Sequence, residues 1–138
     1  MFLGSKWNGN ISGVYSAPFG INLGANLLMR QGYSNVLRDS VSGLRGGTAT
    51  VALEEIGTRR FDNVYQLDLR VGKDFRMFNL ATFTVSADIF NATNQRTILQ
   101  RNGAIFNNSG TDVATAQGYR ITEIQAPRVF RIGGKVTF

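Results

Sequence analysis

Apolar and polar residues alternate one for one along most of this chain, and helical spacing is scarce. In "WNGNISGVYSA" one face carries Trp7, Gly9, Ile11, Gly13, Tyr15 and Ala17, and the other Asn8, Asn10, Ser12, Val14 and Ser16. "PFG" at 18–20 predicts a tight turn, with Pro18 fixing φ and Gly20 taking angles other residues avoid. "INLGANLLMRQGY" keeps the same alternation, with Leu28 as its one apolar intruder on the polar face. The pattern returns in "VYQLDLRVGKDF", where Tyr65, Leu67, Leu69, Val71 and Phe75 oppose Gln66, Asp68, Arg70, Gly72 and Asp74. Lys73 falls on the apolar side, placed for its head to snorkel beside the turn "RMFN" at 76–79. "LATFTVSADIF" sets Ala81, Phe83, Val85, Ala87 and Ile89 against Thr82, Thr84, Ser86 and Asp88. The closing "APRVFRIGGKVTF" alternates to its last residue, with Phe130, Ile132, Gly134, Val136 and Phe138 on one side and Arg131, Gly133, Lys135 and Thr137 on the other.

Five amphipathic strands are thus predicted, at 7–17, 21–33, 64–75, 80–90 and 126–138. Short turns at 18–20 and 76–79 alternate with long polar segments at 34–63 and 91–123. The segment at 34–63 includes a β-like piece, "TATVALEEIGTRR", whose Glu54-Glu55 and Arg59-Arg60 suit a loop better than an apolar environment.

Two architectures satisfy this pattern: a soluble sandwich whose apolar faces meet, and a membrane barrel whose apolar faces meet lipid. Three features favour lipid. Strands of about 11–14 residues exceed the globular norm and match the membrane's apolar thickness when tilted. Aromatics cluster near strand ends (Trp7, Tyr15, Phe19, Tyr33, Tyr65, Phe75, Phe130, Phe138), with Phe83 the exception, as in interfacial girdles. Short turns alternating with long loops fit periplasmic and extracellular ends. The expected fold is therefore all-β, an antiparallel up-and-down transmembrane β-barrel segment. Since five strands cannot close, residues 1–138 are expected to be the C-terminal part of a larger barrel domain.

Composition narrows the chemistry. The chain has no Cys and no His, which removes disulfides, thiolate nucleophiles, a histidine-based triad and the commonest metal ligands. No catalytic residue, metal site or cofactor is expected. The net charge of +6 comes from scattered cations, and with no basic run or nucleic-acid-binding motif no nucleic-acid partner is expected. No apolar stretch is long enough for a transmembrane helix, and "MFLGSKWNGN" does not read as a signal peptide.

"LDLRVGKDF", "ATFTVSADIFNATNQRT" and "APRVFRIGGKVTF" together resemble the last three strands of TonB-dependent outer-membrane receptors, of the subgroup with a carboxypeptidase-regulatory-like N-terminal domain. The D-x-F-N-x-x-N signature is met by Asp88, Phe90, Asn91 and Asn94, and a G-x-R-R/L element by Gly57, Arg59 and Arg60. The resemblance covers residues 50–138 well and the first 50 by pattern only. It implies a plugged 22-stranded barrel in the outer membrane of a Gram-negative-type bacterium, taking up a scarce large solute. The plug and the TonB-contacting segment have no counterpart here, so contact with TonB would run through the missing N-terminal part. Implied partners are outer-membrane lipid and lipopolysaccharide, the barrel-assembly machinery, and the rest of the barrel with its plug. The last strand reads as an assembly signal, carried by Phe130, Ile132, Gly134, Val136 and Phe138.

Arg30, Asp68, Arg70, Asp74, Asp88, Arg131 and Lys135 are expected to face the lumen. Arg38, Arg45, Arg59, Arg60, Arg96 and Arg101 lie in the long loops, where an anionic ligand or lipopolysaccharide phosphate would be met. A porin-type channel segment and a soluble β-sandwich binding module remain alternatives.

Overall fold

The computed structural model describes residues 4–77, 80–104 and 119–138. The chain is all-β and antiparallel. β1 (Asn8–Ala17), β2 (Ile21–Arg30), β5 (Val64–Met77), β6 (Ala81–Phe90) and β9 (Val129–Thr137) form one sheet in the order β1-β2-β5-β6-β9. β3 (Arg38–Leu44) pairs with β4 (Gly47–Ala52), and β7 (Ile98–Arg101) with β8 (Ile121–Ile124), as separate two-stranded sheets. The residues divide into two compact units. One holds Asn8–Met29, Tyr65–Arg96 and Ala126–Phe138; the other holds Arg30–Val64 and Thr97–Gln125 with the segment before Asn8.

In the five-stranded unit each predicted strand forms, somewhat shortened. β2 stops at Arg30 rather than 33, and β9 begins at Val129 rather than 126. β5 instead overruns its predicted end and reaches Met77, so the expected turn at 76–79 starts later; residues 78 and 79 of that turn lie outside the described residues. Leu80 N–H donates to Met77 O at 3.0 Å across it. At 18–20 Pro18 leads the turn as predicted, but Phe19 joins Gly20 at positive φ, 66° and 73°. An added Cβ on Gly20 would lie 2.9 Å from Asp74 O, so glycine is required there on two grounds. The Lys73 ammonium donates to Phe19 O at the 18–20 turn.

Register fixes which residues share a face. Across β5, β6 and β9 one face carries the rows Leu69–Ile89–Phe130, Val71–Ala87–Ile132, Lys73–Val85–Gly134 and Phe75–Phe83–Val136. The opposite face carries Arg70–Asp88–Arg131, Gly72–Ser86–Gly133 and Asp74–Thr84–Lys135. Because side chains alternate with period two, a one-residue slip would exchange the faces entirely.

Burial on this sheet is inverted relative to a globular core. Apart from Val64 at the very start of β5, its buried side chains are Ser86 and Asp88, with Asn91 just past the end of β6. Its apolar positions are open: Ile132 is 82 % exposed, Phe130 66 % and Val136 56 %. The two buried apolar side chains among the described residues, Leu37 and Val64, belong to the other unit.

In that unit the β-like piece at 48–60 contributes β4, paired with β3, a strand the sequence pattern did not announce. Glu54 accepts from Arg59 Nε at 2.8 Å, and this bond together with the carboxylate's charge raises the Arg59 pKa further above its ordinary value. Gly32 is a close-approach position, where a Cβ would lie 1.9 Å from Phe61 O. The segment at 91–123, read as one polar loop, contains the β7–β8 hairpin; its residues 105–118 lie outside the described residues.

Candidate functional site

The polar face of the five-stranded sheet concentrates the charged groups. Asp88 sits at the middle of a row with an arginine directly opposite on each side. Its Oδ2 accepts from Arg131 Nε at 2.9 Å, and its Oδ1 lies 3.6 Å from Arg70 Nε. The carboxylate is 6 % exposed while the two arginines are more than half exposed. Phe90, two residues on, presents its ring to the Arg131 guanidinium at 5.1 Å, adding a cation–π contact. Further along the face, Asp74 accepts from Asn22 Nδ2 at 2.9 Å and from Thr84 Oγ1 at 2.7 Å. Lys135 lies opposite Thr84 in the same row.

Where β6 ends, Asn91 closes a knot. It is 2 % exposed and takes φ 50°, a left-handed conformation that Asn tolerates better than most residues. Its Nδ2 donates to Gln95 O at 2.9 Å and to Ala126 O at 2.7 Å, while Oδ1 accepts from Gln95 N–H at 3.1 Å. Its own N–H donates to Asp68 Oδ1 at 3.0 Å, and Asp68 also accepts from Gln66 Nε2. Asn94, with φ 53°, accepts from Arg128 N–H at 3.2 Å. One buried asparagine therefore ties the exit of β6 to β5 through its backbone N–H and to the approach of β9 through its side-chain amide.

Each residue of the D-x-F-N-x-x-N signature thus has a structural task here: Asp88 holds two arginines, Phe90 stacks on one of them, and Asn91 and Asn94 fix the turn. Of the other element, Gly57 has φ 103°, Arg59 pairs with Glu54, and Arg60 Nη1 donates to Gly4 O and Gly32 O.

The residues expected on one polar face largely share it. Asp68, Arg70, Asp74, Asp88, Arg131 and Lys135 occupy in-phase positions of β5, β6 and β9. Arg30 is the last residue of β2, in phase along that strand with Asn22, and its guanidinium lies 4.5 Å from the Tyr33 ring centroid. Phe130, Ile132, Gly134 and Val136 share the opposite face, and Phe138, just beyond β9, is fully exposed.

In the loop-bearing unit the structure assembles a polar pocket that the sequence did not reveal. Ser34, Asn35, Val36, Arg38, Phe61, Gln100, Arg101, Asn102, Gly103 and Thr122 line it. The clues available were the arginines of the two loops, but nothing in their spacing brings residues near 36 beside residues near 102. Among the described residues no cluster of metal-ligating side chains occurs.

Comparison with known protein families, with curated proteins and with solved structures yields no match to this chain.

Proposed function

We propose that this chain is a segment of outer-membrane β-barrel wall, the C-terminal portion of a TonB-dependent receptor of the carboxypeptidase-regulatory-like subgroup, serving uptake of a scarce large solute. The observation that carries the reading is the inverted sheet: large apolar side chains open on one face, charged and amide groups buried on the other. In water such a face would be an aggregation surface; against lipid it is the ordinary outer face of a barrel. The polar face, with its Arg70–Asp88–Arg131 row and Asp74 network, would line the lumen. Five strands fall short of the eight a closed bacterial barrel needs, so further strands would pair on the free edges of β1 and β9. The exposed apolar positions of β9, with Phe138, would serve as the assembly signal.

The test is to place the chain behind a signal peptide in a Gram-negative host and fractionate the cells, comparing it with a version lacking Phe138. The native chain is expected in the outer-membrane fraction, resistant to carbonate extraction, and the shortened chain is expected to be lost from it. Both versions soluble and monomeric in the periplasm would overturn the reading in favour of a β-sandwich. Stable insertion of a barrel that conducts small solutes without any plug would favour the porin-type alternative.

A further inference from the structure

We infer that the pocket between the β3 entrance and the β7–β8 hairpin is a binding site for a sugar-sized solute bearing an oxyanion, a carboxylate or a phosphate among hydroxyl groups. The claim rests on the chemistry of one compact unit and stands independently of the membrane reading.

The pocket encloses about 340 Å³, near the lower end of cavities that hold small ligands. Two arginines, Arg38 and Arg101, line it, together with the amides Asn35, Gln100 and Asn102 and the hydroxyls Ser34 and Thr122. No carboxylate is among the described residues that line it. Such a set offers charge-assisted donors for an oxyanion and paired donors and acceptors for hydroxyls. Phe61 supplies an aromatic surface.

The frame is built before any ligand arrives. Arg38 N–H donates to Gly103 O at 2.7 Å, and a Cβ on Gly103 would fall 2.1 Å from Val36 O, so the two walls touch through backbone. Tyr119 joins opposite sides: its hydroxyl accepts from Asn35 Nδ2 at 2.8 Å, and its carbonyl accepts from Arg101 Nη1 at 3.0 Å. The Arg101 guanidinium also lies 4.8 Å from the Tyr119 ring centroid, which fixes its plane. That leaves its remaining N–H groups for another acceptor.

Two polar groups have no partner of their own. The Arg38 side chain makes no ion pair or hydrogen bond among the described residues. Ser34 Oγ is enclosed and likewise unbonded among them. A buried hydroxyl is normally satisfied, so Ser34 Oγ calls for a partner, while Arg38 is exposed beside it and free to meet an incoming oxyanion.

The experiment is calorimetric titration of the full chain, folded in detergent micelles, with glucuronate, glucose 6-phosphate and glucose. Saturable binding of at least one of the two acids is expected, weakening as salt is raised, with glucose at least tenfold weaker. Arg38→Gln is expected to weaken the acid about tenfold or more, with an unchanged circular dichroism spectrum. Arg45→Gln, in the β3–β4 turn, is expected to bind as the native chain does. Absence of saturable binding by both acids, glucose binding as tightly as the acids, or an Arg38→Gln chain that binds normally would each overturn the inference. Binding by a chain that fails to enter membranes would leave this site standing and remove the receptor reading alone.

Discussion

Asn91→Ala is expected to destabilise the folded chain by about 3–5 kcal/mol, the largest effect of any single side-chain truncation in the sheet. The amide makes two donor bonds, to Gln95 O and Ala126 O, and accepts one from Gln95 N–H, all in a place 2 % exposed to solvent. Removing it takes the partner from Gln95 O, Gln95 N–H and Ala126 O, at about 1–3 kcal/mol for a group that stays buried and less where water reaches it, as at the exposed Ala126. The backbone contributes too, because alanine at φ 50° adds about 1–2 kcal/mol of left-handed strain. Asn91→Gly separates the two contributions, since glycine accepts the φ and lacks only the amide. Asn91→Asp should be nearly as damaging as alanine, because its second oxygen would face two carbonyl oxygens in place of a donor. Urea unfolding of the chain in detergent micelles, followed by circular dichroism, reads all three. An alanine variant within about 0.5 kcal/mol of the native chain would show that the knot does not hold the strands together.

Asp88→Ala is expected to cost about 2–4 kcal/mol. The substitution leaves Arg70 and Arg131 facing one another across β6 with no counter-charge between them. The cost is set below the full value for a buried pair because both arginines are more than half exposed and can turn toward water. Asp88→Asn retains an acceptor and should lose less, while Arg131→Met gives up one ion pair and the Phe90 contact and leaves Arg70 in place. A double-mutant cycle between Asp88 and Arg131 isolates their coupling, expected at about 1–2 kcal/mol and falling with added salt. Coupling indistinguishable from zero at low salt would mean the row is a decoration of the sheet and does not help set its register.

The legible and illegible parts of this structure differ in a physical way. The five long strands announce themselves because one face alternates against the other over ten residues or so, and that signal needs no partner to be read. Their in-phase positions therefore place Asp68, Arg70, Asp88 and Arg131 on one face from the sequence alone. Register, which makes Asp88 the shared partner of two arginines, depends on the pairing of β6 with β5 on one side and with the distant β9 on the other, and has no local signature. β7 and β8 are four residues each, too short for a period to emerge, and their pairing joins segments some twenty residues apart. The pocket of Arg38 and Arg101 also needs the backbone contact of Arg38 with Gly103, between segments some sixty residues apart, and has no local signature either. Asn91 and Asn94 are an intermediate case. Asparagine after a strand signals a turn and tolerates left-handed angles, yet only the fold shows that the Asn91 amide reaches Ala126.

In the proposed barrel wall Phe130, Ile132, Gly134 and Val136 would face lipid while Arg131, Gly133 and Lys135 would face water. The chain has no cysteine, so single cysteines placed at 130–136 can each carry one spin label without background. Collision rates with oxygen, which concentrates in the bilayer, and with a water-soluble nickel chelate would be measured for the chain inserted in lipid vesicles. The account predicts strict alternation, with oxygen favoured at the even positions and the chelate at the odd ones. Chelate access at every position, or oxygen and chelate profiles that do not alternate, would contradict it.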